Sequence, residues 1–317
     1  MSKKKWGESF LKSGLPLEHL TIVTFRSLDW NCRPRVEYIR ENLNGEKTWF
    51  EIDLEASSYE TNKDTSLSFL VECKYHDLSR FWFFLPHDSE RWAFNDRVLN
   101  VGPFQLLADP RSKSLLSLAP CSAGGIVISA EGDKQENAVS TAIQQIVNGF
   151  VPCSLNQFSY DLDFHNSTLD IKDFLPSATA VVPMIVTNAC IYRLKPEVTD
   201  LELIRNASSP NDIADEVEWT WCYHDPLMAL INQNVDALEM HKMKEAELFY
   251  RFPYVEQRLE GFDGRPNWIA IVNIKFLKNT IKKIADHFQS IQTISVNNIL
   301  KGRDKRRRKH FTKTNNA

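Results

Sequence analysis

Two apolar-alternating runs, Lys47–Ala56 and Leu67–Tyr75, constrain this chain more than anything else in it. In Phe50–Ala56 every second residue is apolar, which places Glu51, Asp53 and Glu55 together on the other face of a strand. In Leu67–Tyr75 the residues Leu67, Phe69, Val71, Cys73 and Tyr75 form one face, leaving Glu72 and Lys74 on the opposite one. A further β-type run, Arg35–Asn42, precedes the first across Asn44-Gly45, a dipeptide suited to a type I′ hairpin turn. A two-residue loop there pairs Val36 with Asp53 and Glu37 with Ile52, unless a bulge or a longer loop shifts the register.

Other elements surround this hairpin. Pro16 suits a first helical turn, and Leu17, Leu20, Thr24 and Leu28 predict a helix over 16–28. Phe81–Leu85 reads as a short buried strand. Ala138, Ala142, Ile143, Ile146 and Val147 predict a helix over about 134–148 that Gly149 stops. Ala178–Leu194 reads as one long buried strand, with Pro183 hinting at an edge or a bulge. Residues 226–250 look helical, 268–277 strand-like and 278–290 like a basic helix. The order implies an α/β fold, a central mixed sheet flanked by helices.

Length and composition admit two average domains or one large α/β domain. With 43% hydrophobic residues a packed core is available, and no apolar run of about 18 residues suggests a membrane span. The opening Met-Ser-Lys-Lys-Lys-Trp lacks the apolar stretch of a secretory signal, so a cytosolic chain is expected. Six scattered cysteines without a CxxC pair fit free thiols and give no zinc pattern. Net charge is −3, yet eight Lys or Arg fall within Lys301–Lys313, so charge distribution leaves nucleic-acid binding open.

If the two carboxylate-bearing strands pair, Asp53 and Glu72 converge on one divalent cation with Lys74 beside it. Oxygen ligands suit Mg2+ or Mn2+. A structural Glu72–Lys74 ion pair at a sheet edge is the alternative. With Asp53 ending the second strand and Glu72-Cys73-Lys74 in the third, the chain resembles the PD-(D/E)xK, restriction-endonuclease-like, nuclease superfamily. The resemblance covers roughly residues 16–195, and Ile52 stands where the family's name has proline.

That resemblance implies a restriction-endonuclease-like core within 1–200 with an insertion over about 86–130, and hydrolysis of DNA phosphodiesters. Residues 201–300 then complete the sheet or form an interaction surface, and 301–317 form a basic tail. Catalysis is expected from Asp53, Glu72 and Lys74, with Glu18 as a further metal ligand in place of the less suitable Glu37. Gln144, Gln145, Thr187 and Asn188 are expected as supporting residues near the site. Lys305, Arg306, Arg307, Arg308 and Lys309 are candidates for phosphate contact. DNA is the expected partner, with a homodimer or a partner protein of an anti-phage or restriction system as further expectations. A nuclease-like DNA-binding protein that no longer cuts is the alternative.

Overall fold

The computed structural model describes residues 3–41, 46–60, 65–77, 79–87, 115–135, 137–150, 153, 178–224 and 268–289. Their strands are β1 Asn31–Glu41, β2 Lys47–Glu60, β3 Thr65–Lys74, β4 Arg80–Pro86, β5 Cys121–Ser129 and β6 Lys134–Gln135. After them come β7 Ala178–Thr187, β8 Cys190–Leu194, β9 Ala214–Val217, β10 Trp219–Tyr223 and β11 Trp268–Asn273. The helices are α1 Lys3–Lys12, α2 Leu15–Arg26, α3 over 138–150, α4 Leu201–Arg205, α5 Pro210–Ile213 and α6 over 277–289.

All eleven strands join one mixed sheet in the order β1-β2-β3-β7-β11-β10-β5-β4-β8-β9, with β6 on β5. The fold is α/β. β1, β2 and β3 form an antiparallel meander, and β7 runs parallel to β3. β5, which falls within 86–130, is an interior strand, and β10 and β11 insert between β5 and β7.

Both faces of the sheet are covered. Leu54, Phe69, Val71, Met184 and Val272 pack on one side with Leu17 and Phe25 of α2 and Leu277, Ile281 and Phe288 of α6. Ile185, Ile269, Ile271, Trp82 and Phe84 pack on the other with Val139, Ala142, Ile143 and Ile146 of α3. In α2 the buried line is Leu17, Thr21 and Phe25, while Leu20 is exposed, so the inward face differs from the Leu17–Leu20–Thr24 line of the sequence. Phe25 selects it, because its ring meets Trp30 and Phe69 at 5.8 and 5.4 Å. Thr21 is tolerated there since its hydroxyl donates to Leu17 O at 2.8 Å.

The run expected as a single strand over 178–194 is two. β7 ends at Thr187, and β8 restarts at Cys190 to pair with β4. Five strand spacings separate β7 from β8 in the sheet order, about 24 Å on a flat sheet. Three Cα steps reach at most about 11 Å. The sheet therefore coils round until its β7 and β8 positions meet at the bend. Pro183 does not mark an edge: β7 is interior, and pairing with β11 begins at Met184, one residue past the proline that lacks an N–H.

Gly149 does not end α3 but lies buried inside it. A Cβ there would run into Ile52 Cδ1 and the Tyr38 ring, so glycine lets the helix lie directly on the sheet. Elsewhere in a helix Gly→Ala stabilises by about 0.5–1 kcal/mol. Here Gly149→Ala is expected to destabilise by about 1–3 kcal/mol through overpacking. Chemical denaturation checks this, and Ile52→Val in the same chain should restore part of the loss.

Candidate active site

Four of the sequence candidates meet where β2 and β3 part. The β1–β2 register pairs Val36 with Ile52 and Glu37 with Glu51, one residue away from the two-residue-loop expectation. The turn that sets it, 42–45, lies outside the described residues. With this register Arg35 faces Asp53, and Arg35 has φ of 52°, a left-handed conformation rare for a residue with a side chain.

The side-chain alternation reverses at this point. Leu54 packs on the α2 side of the sheet, whereas Ile52 packs with Val36, Tyr38, Leu70 and Phe150 on the other. The expectation that Glu51, Asp53 and Glu55 share a face therefore fails. Glu51 lies 3.9 Å from Arg35 and Glu55 lies 3.6 Å from Arg33 in separate ion pairs, and Glu37 is exposed. Asp53 sits at the switch itself.

The last registered β2–β3 pair is Leu54–Val71, and continuing it puts Asp53 against Glu72. Instead of a backbone acceptor, Asp53 Oδ2 takes the N–H of Cys73 at 2.6 Å. That charge-assisted bond fixes the carboxylate at the splayed end of the strands. Glu72 is buried at 3% exposure, and Lys74 Nζ donates to its Oε1 at 2.7 Å. Its second oxygen, Oε2, is buried with no hydrogen-bond partner.

The carboxylates act on one another. Burial, and then the Asp53 charge, push Glu72 up to about 7, against the opposing pull of Lys74, with Glu18 contributing. Asp53 is raised by burial, opposed by the Cys73 N–H and Lys74. Glu18, in the first turn of α2, is raised by burial and then by Asp53. Glu51 also raises both Asp53 and Glu18, so four carboxylates and one lysine share one electrostatic site at the carboxyl ends of the parallel strands β3 and β7. Arg35 adds a second cation, lowering both Asp53 and Glu18. Sequence reasoning missed it, since only the observed register brings it there.

No protein-family model matches the chain, no curated protein matches it, and no solved structure matches it.

The supporting candidates separate. Thr187 is fully buried and stands beside Lys74 in the β3–β7 register, and its hydroxyl accepts the Ala189 N–H at 3.2 Å. Asn188 clamps the chain leaving Lys74, its Oδ1 accepting from His76 N at 2.7 Å and its Nδ2 donating to His76 O at 2.6 Å. Gln144 and Gln145 are both exposed on α3, turned away from the buried face of that helix. The helix buries Val139, Ala142, Ile143, Ile146 and Val147, which leaves those two positions outward. Lys305, Arg306, Arg307, Arg308 and Lys309 lie outside the described residues, as does 226–250.

Among the described residues no three His, Cys, Asp or Glu side chains form a ready-made metal-binding group. The donor set nevertheless fits a hard divalent cation that keeps several waters: a buried carboxylate with an unpartnered oxygen, Glu72, and the half-buried Asp53 opposite it in the continued register. Asp53 and Glu72 are the residues that would hold it, with Glu18 within electrostatic reach.

The Glu72 shift sets a pH dependence of stability. A carboxyl whose pKa rises on folding, here from 4.5 to about 7, binds its proton more tightly in the native state. Its contribution is fully present below about pH 4.5 and is lost as pH rises through about 7. Glu72→Gln should therefore gain stability over the wild type between pH 5 and 8 in EDTA, on the order of 3 kcal/mol at most. Urea denaturation at the two pH values checks this; an unchanged difference would mean that Glu72 does not titrate in that window.

Proposed function

We propose that this chain is a metal-dependent DNA endonuclease of the PD-(D/E)xK kind, with Asp53, Glu72 and Lys74 as its catalytic residues. The observation that carries the reading is the buried Glu72 and the half-buried Asp53, mutually repelling beside Lys74, with Glu72 Oε2 unpartnered. A structural ion pair alone would leave that second oxygen and the Asp53 charge without purpose. The chain runs α2-β1-β2-β3, then β4, β5 and β6, then α3 and β7; the α2-β1-β2-β3 segment, with β7 parallel to β3, supports a restriction-endonuclease-like core.

Asp53 and Glu72 would hold Mg2+ or Mn2+, and Glu18 would lend a further carboxylate. When bound, the ion supplies Lewis-acid polarisation of the phosphodiester and a bound water of lowered pKa. The Cys73 N–H orients Asp53 by bonding its Oδ2. Lys74, held against Glu72, orients the attacking water and offsets negative charge that builds on the phosphoryl oxygens.

The test is incubation of purified protein with supercoiled and linear DNA in Mg2+, Mn2+ or EDTA. Nicking or linearisation that needs metal is expected. A protein that binds DNA but leaves it intact under every metal condition would instead be a non-cutting binder with this fold.

A further inference from the structure

Three buried polar atoms without hydrogen-bond partners gather just past Lys74: His76 Nε2, Arg80 Nη1 and Trp82 Nε1. Trp82 is fully buried, and the His76 ring meets it edge-on at 5.5 Å. Arg80 and Trp82 are two apart on β4 and so lie on one face of that strand. His76 and Arg80 are only half-buried.

An orphaned buried donor costs about 1–3 kcal/mol, and such atoms are normally few and scattered. Here the guanidinium and the indole offer only donors, and the imidazole joins them by placing its proton on Nε2. The charges around His76 are Arg80 and Lys74 on the positive side and Asp77 on the negative. Asp77 lies 4.0 Å from Lys12 of α1, which draws on its charge. Lys74 is itself paired with Glu72, so Arg80 supplies the positive charge at this place, and the three donors call for an anionic acceptor.

We propose that Arg80, Trp82 and His76 form an anion subsite beside Lys74 that takes an unreacting backbone phosphate of the nucleic acid. This rests on the nuclease reading for the source of the phosphate, while the subsite itself is defined by the three donors. Held there, the strand is aligned so that the neighbouring phosphodiester lies over Asp53 and Glu72.

The test uses full-length protein in EDTA, with the Trp82 indole N–H followed by NMR. Inorganic phosphate is titrated first, then a short oligodeoxynucleotide. Both are expected to shift that signal, with phosphate competing against the oligonucleotide. Trp82→Phe, which removes only the N–H and keeps an aromatic core residue, and Arg80→Gln are each expected to weaken oligonucleotide binding about tenfold. Arg80→Gln should also flatten the salt dependence by about one ion.

An indole signal indifferent to both probes overturns the subsite, as do variants that bind the oligonucleotide like the wild type. A response to free phosphate alone overturns the nucleic-acid source. Both titrations exclude metal and do not depend on cleavage. A protein that never cuts DNA but shows the phosphate response would retain the subsite and lose the nuclease reading.

Discussion

Asp53→Ala is expected to reduce metal-dependent DNA cleavage by about a hundred- to a thousandfold, with the fold intact. The size follows from the loss of one of two carboxylates that hold the ion, since removing a single preorganised electrostatic group costs about 10²–10³ in rate. Asp53 is raised by its own burial, so alanine also removes an unfavourable charge and should not unfold the sheet. Lys74→Ala is expected to fall similarly in rate but to differ in metal binding. It removes the cation bonded to Glu72 Oε1 and leaves both carboxylates in place, so Mn2+ affinity should be kept or rise. Circular dichroism and thermal melts separate lost chemistry from lost structure. Wild-type cleavage in either variant would refute the site assignment.

Trp221→Ala should have the largest effect on stability, about 3–5 kcal/mol. Trp221 is fully buried in β10, its indole N–H donates to Leu115 O at 3.1 Å, and its ring meets Trp219 edge-on. It belongs to the same apolar cluster as Phe69, Val71 and Met184 beneath the candidate site. Truncation should therefore shift one cooperative transition of the whole sheet, read alike by tryptophan fluorescence and far-ultraviolet circular dichroism. Two separated transitions would instead show that β10 and β11 form a unit apart from β3 and β7.

What the sequence makes legible is local. The alternation of Leu67–Tyr75 locates β3 and puts Glu72 and Lys74 together, because a strand's period survives single-sequence reading. The helix at 138–150 is visible for the same reason, but not its end: Gly149 reads as a stop, while its purpose is the close contact with Ile52 across the layer. The bend at Asn188-Ala189 is hidden by apolar residues on both sides, since its cause is the coiling of a sheet whose partners come from β4 and β11.

At the site, the face of Asp53 cannot be read from Phe50–Ala56 alone. It depends on Arg35 at positive φ in the neighbouring strand and on a register one residue from the simplest hairpin. Glu18 is suggested by its place in the first turn of a helix. Its selection over Glu37 rests on packing that brings α2 onto β3, a contact between distant parts of the chain.

The account turns on whether Asp53 and Glu72 grip a single ion. Anomalous diffraction from crystals soaked in Mn2+ measures this directly. One peak is expected between the two carboxylates, with metal–oxygen distances of about 2.0–2.2 Å. Saturating Mn2+ with no peak there, or a peak held by other residues alone, would contradict it.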